Sequence, residues 1–182
     1  MDYVAFLRGI NLGKRKVKMD ELRKALAALG YPGAETLIAS GNVLLSADQT
    51  PDVKKLETGL DRHFGFPIPV IIRSVARLRA LIDSDPFDGA AHDDDQRLFV
   101  TFAAGPIGDL LKDVKPEKGV FDLPRIDADQ FFIIGYRRDN GRYSEYGVDF
   151  EKIFRDLTIT NRNWNTVLRI VDKAEQKPEV RK

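Results

Sequence analysis

Between residues 3 and 72, four short apolar runs and two amphipathic stripes follow one another in the order β-α-β-β-α-β. No other feature constrains the fold as strongly. A tight connection in the middle flanked by two helix-bearing crossovers admits few topologies. Tyr3, Val4, Ala5, Phe6 and Leu7 are apolar on both parities, so the first strand is expected to be covered on both faces. Met19, Leu22, Leu26 and Leu29 fall on one helical stripe, which predicts a helix over 20–29. Gly30 and Pro32 mark its end.

A strand over 36–39 and another over 43–46 are expected around a tight turn at Ser40, Gly41 and Asn42. Gly and Asn tolerate the positive φ such a turn demands. Thr50 and Pro51 suit the start of a second helix, one as cap and the other as first residue. Val53, Leu56, Leu60 and Phe64 form its stripe and Gly65 closes it. A fourth strand over 69–72 completes the order of a ferredoxin-like plait, with strands arranged 4-1-3-2 and neighbours antiparallel.

The second half repeats this order less regularly. A helix over 74–82, capped by Ser74, leads into an Asp-rich loop with six Asp between 83 and 95. Strands are expected over 97–103, 119–123 and 130–137, with helices over 106–114, 149–157 and 163–173. No fourth strand is evident. The fold class is therefore α+β, with two ferredoxin-like subdomains over 1–73 and 74–174, the second less regular and ending in a C-terminal helix. A charged tail follows over 175–182.

Composition excludes several chemistries. The 182 residues contain no cysteine, so disulfides, thiolate zinc sites and thiol nucleophiles drop out. His63 and His92 are far apart, which argues against a histidine-rich metal site, and no metal or other cofactor is expected. Asp93, Asp94 and Asp95 lack the spacing and terminal Glu of a calcium loop and read as a solvated turn. No apolar run approaches the roughly 18 residues that span a bilayer, so no membrane association is expected. The N-terminus lacks the basic start and long apolar core of a signal peptide, and a cytoplasmic location is the simplest reading. Charge is uneven: residues 1–80 carry 13 Lys and Arg against 8 Asp and Glu, whereas residues 81–182 carry 16 against 20.

In a plait, the ends of strands one and two and the start of strand four share a sheet edge. Loop 8–18, the turn at 40–42 and the segment 63–67 should then converge. Loop 8–18 holds five basic residues, Arg8, Lys14, Arg15, Lys16 and Lys18, together with Gly9, Asn11 and Gly13. It feeds a helix N-terminus, where backbone N–H groups favour anions. A phosphate-containing small molecule or a nucleic-acid backbone is the expected partner, set against a plain solvated loop with glycines for turning. The run from Gly9 to Lys14 is one residue short of a Walker loop, and Arg15 stands where its Ser or Thr would be, so a nucleoside triphosphatase is rejected. An RNA-stacking sheet face is absent, because strand three has no aromatic residue.

Three segments together resemble a known bacterial family, the uncharacterised domain-of-unknown-function 1697 proteins. They are Phe6 to Gly13 with Lys18 and Met19, then Ser40 to Val43, then Thr160 to Val167. Leu12 stands where the family usually has Val, Lys14 where a second Gly is common, and Asn161 where a small residue often sits. The resemblance spans residues 2 to about 174 and implies two plait-like α+β subdomains, with no activity or cofactor attached.

It also draws attention to Arg162, Asn163 and Trp164. Arg162 would bind an anion, or Thr160 or Asn163 would cap the last helix while Trp164 anchors it in the core; the structural reading is favoured. His63, near a helix C-terminus, reads as a stabilising cation rather than a catalytic group. Two further functional readings are an enzyme of unknown reaction with a pocket between the halves, built on Arg8, Asn42 and Arg162, and a structural or interaction domain that forms a homodimer.

Overall fold

The computed structural model describes residues 1–11, 13, 15–37, 41–143 and 146–176. It is a mixed α+β protein with two four-stranded antiparallel sheets and five helices among these residues. The chain divides into two compact units, one formed by Met1–Ala80 with Arg169–Lys182 and the other by Leu81–Leu168.

The first unit contains β1 (Asp2–Leu7), α1 (Met19–Ala28), β2 (Glu35–Leu37), β3 (Asn42–Ser46), α2 (Val53–Phe64), β4 (Val70–Ser74) and most of α3 (Val75–Asp83). Its strand order is β2-β3-β1-β4 with every pair antiparallel. Tyr3, Ala5, Leu7, Val43, Leu45 and Val70 share one core with Leu22, Ala25 and Leu26 of α1 and Leu56 and Leu60 of α2. The apolar stripes read from the sequence are thus the buried faces of these helices.

Register places Val4, Phe6, Leu44 and Ile71 on the opposite face of the sheet, and all four are buried too. This is why β1 is apolar on both parities. The same face carries two buried polar residues, Asn42 and Arg73.

One cap differs from expectation. Thr50 does not cap α2; Asp52 does, its Oδ1 accepting from Lys55 N at 3.1 Å. A carboxylate at this position adds charge to the hydrogen bond, and the hydroxyl of Thr50 donates instead toward Tyr3 Oη at 3.5 Å. Ser74 caps α3 as expected, accepting from Arg77 N. Strand β2 ends at Leu37, and the remainder of the predicted strand, residues 38 and 39, lies outside the described residues.

The second unit contains β5 (Gln96–Ala103), β6 (Phe121–Asp122), β7 (Gln130–Tyr136), α4 (Phe150–Ile153) and β8 (Ile159–Asn163), in the order β6-β7-β5-β8. Helix α5 (Trp164–Glu175) starts in this unit, and its residues from Arg169 onward belong to the first.

Three expectations are corrected here. The helix over 106–114 does not form: the segment is a series of three-residue turns, with Leu110 N on Ile107 O and Val114 N on Leu111 O. Gly108, at φ +53°, takes the left-handed conformation inside it and interrupts α-helical winding. The helix over 149–157 shrinks to α4, capped by Asp149. Phe154 leaves helical geometry at φ −99° and ψ 26°, and its ring stacks on Phe131 at 5.6 Å.

A fourth strand also exists. The helix expected over 163–173 begins at Trp164, and the residues before it, Ile159–Asn163, form β8 against β5, with Val100 opposite Arg162 and Phe102 opposite Thr160. Only Ile159 in that strand is aliphatic, so period-two patterning was silent there.

Candidate functional site

The register of the first sheet brings the expected loops to one edge. Phe6 pairs with Asn42, Leu37 pairs with Asn42, and Leu7 pairs with Val70. Arg8 N donates to Pro69 O at 2.9 Å and continues the β1–β4 ladder one step past the strand. The end of β1, the end of β2 and the starts of β3 and β4 therefore lie together.

Side chains tie the loops to one another at this edge. Ile10 is buried, and a Cβ on Gly41 would lie 3.2 Å from its Cδ1. Arg15 places its Cζ over the Phe66 ring, 4.9 Å from the centroid. Loop 8–18 thus touches both the turn at Gly41 and the segment after α2.

The loop is built to present its cations. Ile10 and Val17 are buried in the core that supports α1 and α2. Asn11 Oδ1 accepts from Val17 N at 3.1 Å and closes the span between them. Gly13, Arg15 and Lys16 are left exposed, and Gly13 has φ +59°. Lys18 is the N-cap of α1 and provides no side-chain cap bond. Arg8 is half-buried and Gly9 has φ +71°. Two of the expected site residues, Lys14 and Ser40, lie outside the described residues.

Acidic groups next to the loop have local partners. Asp20 pairs with Arg23. Glu21 lies 3.5 Å from Lys24 Nζ and 3.7 Å from His63 Nε2. Arg62 and His63 occupy the last turn of α2, where cations offset the negative end of the helix dipole.

Asn42 has a bracing role. It is 1% exposed, and its Nδ2 donates to Leu37 O at 3.3 Å across the β2–β3 connection. Gly41, at φ +79°, is the residue that lets the chain pass close to Leu7.

Arg162, Asn163 and Trp164 belong to the second unit. Arg162 Nη1 donates to Thr160 Oγ1 and to Asn161 O, each at 2.8 Å. Burial of the guanidinium lowers its pKa to about 10. Asn163 Oδ1 accepts from Asn165 N at 3.0 Å and caps the start of α5, while Thr160 sits within β8. Trp164 is buried against Phe87 at 5.2 Å and Phe132 at 6.1 Å.

Sequence reasoning missed the Arg15–Phe66 stack. The available signal was the Phe64-Gly65-Phe66 run directly after a basic helix end. Among the described residues, no group of three His, Cys, Asp or Glu side chains is placed to hold a metal ion. Nor is any helix long and apolar enough to cross a membrane.

The family model for DUF1697, a protein of unknown function, matches residues 1–128. The chain belongs to the DUF1697 family. The matched span includes loop 8–18 and the Gly41 turn but stops short of the segment at 160–167. A solved structure, the conserved bacterial protein SP0830 from Streptococcus pneumoniae, is similar over 96% of this chain and 98% of its own, with a TM-score of 0.72 at 24% identity. That likeness concerns the fold of this DUF1697 protein. No curated protein matches the chain.

Proposed function

We propose that this DUF1697 protein is a binding module for an anionic ligand, held at the corner formed by loop 8–18, the Gly41 turn and the segment after α2. The ligand class is a phosphate-containing small molecule or a nucleic-acid backbone. The reading rests on one observation: Ile10 and Val17 anchor the loop, Asn11 closes it, and Arg15 and Lys16 are exposed between them. Anchors on both sides of the exposed cations restrict where those side chains reach, and such preorganisation favours binding. Arg8 and Lys18 flank the same stretch, and Arg suits the forked geometry of phosphate oxygens. The antiparallel order β2-β3-β1-β4 supports reading the first unit as a ferredoxin-like plait, and β6-β7-β5-β8 supports the same reading of the second.

Calorimetric titration with inorganic pyrophosphate and with single-stranded nucleic acid, at low and moderate salt, tests the proposal. Binding should weaken as salt rises and should fall in an Arg8→Ala, Lys16→Ala double variant. Binding that is indifferent to both substitutions would overturn it.

A further inference from the structure

We infer that the ligand at this corner is a nucleotide unit, with its phosphate at the exposed cations beside Arg15 and its base stacked on the Arg15 guanidinium that lies over Phe66; this rests on the anion-binding reading above. Phe66 follows Gly65, the left-handed residue that ends α2 at φ +77°. Its ring is half-buried, packs against the core of the first unit and lies 6.3 Å from Phe64. Arg15, itself exposed, lies over that ring.

An arginine over an aromatic ring is a stacking element on which a planar base fits, because guanidinium planes and aromatic rings both stack on bases. Here the element sits on the loop that carries the cations. A ligand with a planar ring one sugar away from a phosphate would engage both. Aromatic stacking on the sheet face itself is closed off, since Val43, Leu44 and Leu45 of β3 are fully buried apolar residues. Three acidic residues border this corner and each has a local partner: Asp20 pairs with Arg23, Glu21 lies 3.5 Å from Lys24 Nζ, and Glu57 Oε1 accepts from Val70 N at 2.8 Å.

A nucleotide unit reaches a protein either free or within a single strand, so the experiment uses two matched pairs of probes on the full chain. The first pair is adenosine 5′-diphosphate and inorganic pyrophosphate. The second is an oligo-deoxyadenylate and an abasic phosphodiester strand of equal length. In at least one pair, the base-bearing member should bind about tenfold more tightly, the effect expected of one stacked base. Preference in the first pair identifies a free nucleotide, and preference confined to the second identifies a single strand.

Phe66→Leu should abolish the preference while leaving pyrophosphate or abasic-strand binding in place. Because Phe66 packs on the core, Arg15→Lys serves as a second variant: it keeps the charge, loses the plane and should reduce the preference several-fold. Equal binding within both pairs overturns the inference yet leaves anion binding standing. A preference that survives both substitutions also overturns it. No binding of any probe removes the anion-binding reading with it.

Discussion

The main-chain N–H of Leu7 donates to the carbonyl of Gly41 at 2.7 Å, and a Cβ on Gly41 would come within 2.8 Å of the Leu7 carbonyl oxygen. Strand and turn are in backbone contact, with no room for a side chain between them. Gly41 also has φ +79°, a conformation costly for any residue with a Cβ. Gly41→Ala should therefore lower stability by about 3 kcal/mol, the sum of left-handed strain and a clash with backbone. Urea denaturation would show this as a lower midpoint. An unchanged midpoint would mean that the turn can be rebuilt without contact to β1.

A second glycine acts through a side chain. A Cβ on Gly59 of α2 would lie 2.3 Å from Leu29 Cδ2, and Leu29 packs against the core of the first unit. Alanine is the better helix former by about 1 kcal/mol, yet here it meets a packed neighbour. Gly59→Ala should destabilise the native protein and stabilise a Leu29→Ala variant. A double-mutant cycle checks this, and simple additivity would refute the proposed contact.

Tyr146 buries its hydroxyl without a hydrogen-bond partner among the described residues. Its ring is held by Phe99, Phe121 and Phe150, and burial raises its pKa well above the ordinary tyrosine value. A buried polar atom with no partner costs stability, so Tyr146→Phe should raise it by about 1 kcal/mol. A loss on this substitution would show that the hydroxyl is satisfied in solution.

His92 couples the second unit to pH. Its Nδ1 accepts from Leu98 N at 3.3 Å, which requires the ring nitrogen to be unprotonated. Burial lowers its pKa below the ordinary value of 6.5, nearby Arg97 lowers it further and Asp93 opposes the shift. The unfolded chain then takes up the proton first as pH falls, so stability is complete above pH 6.5 and declines below it. His92→Asn retains an acceptor that does not titrate. Denaturation near neutral pH and at about pH 5 should show a smaller acid loss in the variant than in the native protein. Equal losses would assign the acid response to other groups.

Much of the first unit was legible in the residues. The stripes of α1 and α2 are long enough for their period to show, and Gly30, Gly41 and Gly65 mark places where the chain must turn. The double-parity apolar run of β1 announced a strand buried on both faces, as Val4 and Phe6 now are. The corner around loop 8–18 was also predictable, because strand order alone decides which loop ends share an edge.

Tertiary contacts decided the rest. Strand β8 is polar along most of its length and is a strand because β5 offers it a ladder of backbone partners. The segment 106–114 carries apolar residues at helical spacing but winds as separate turns around Gly108. Asn11 became a loop clamp and Asn42 a buried brace through bonds to Val17 and Leu37, partners that residue type does not name. The sequence by itself determined where apolar surface must be buried, since that depends on composition and period. Which side chains would meet, as Arg15 meets Phe66, was decided only when the folded backbone set their distances.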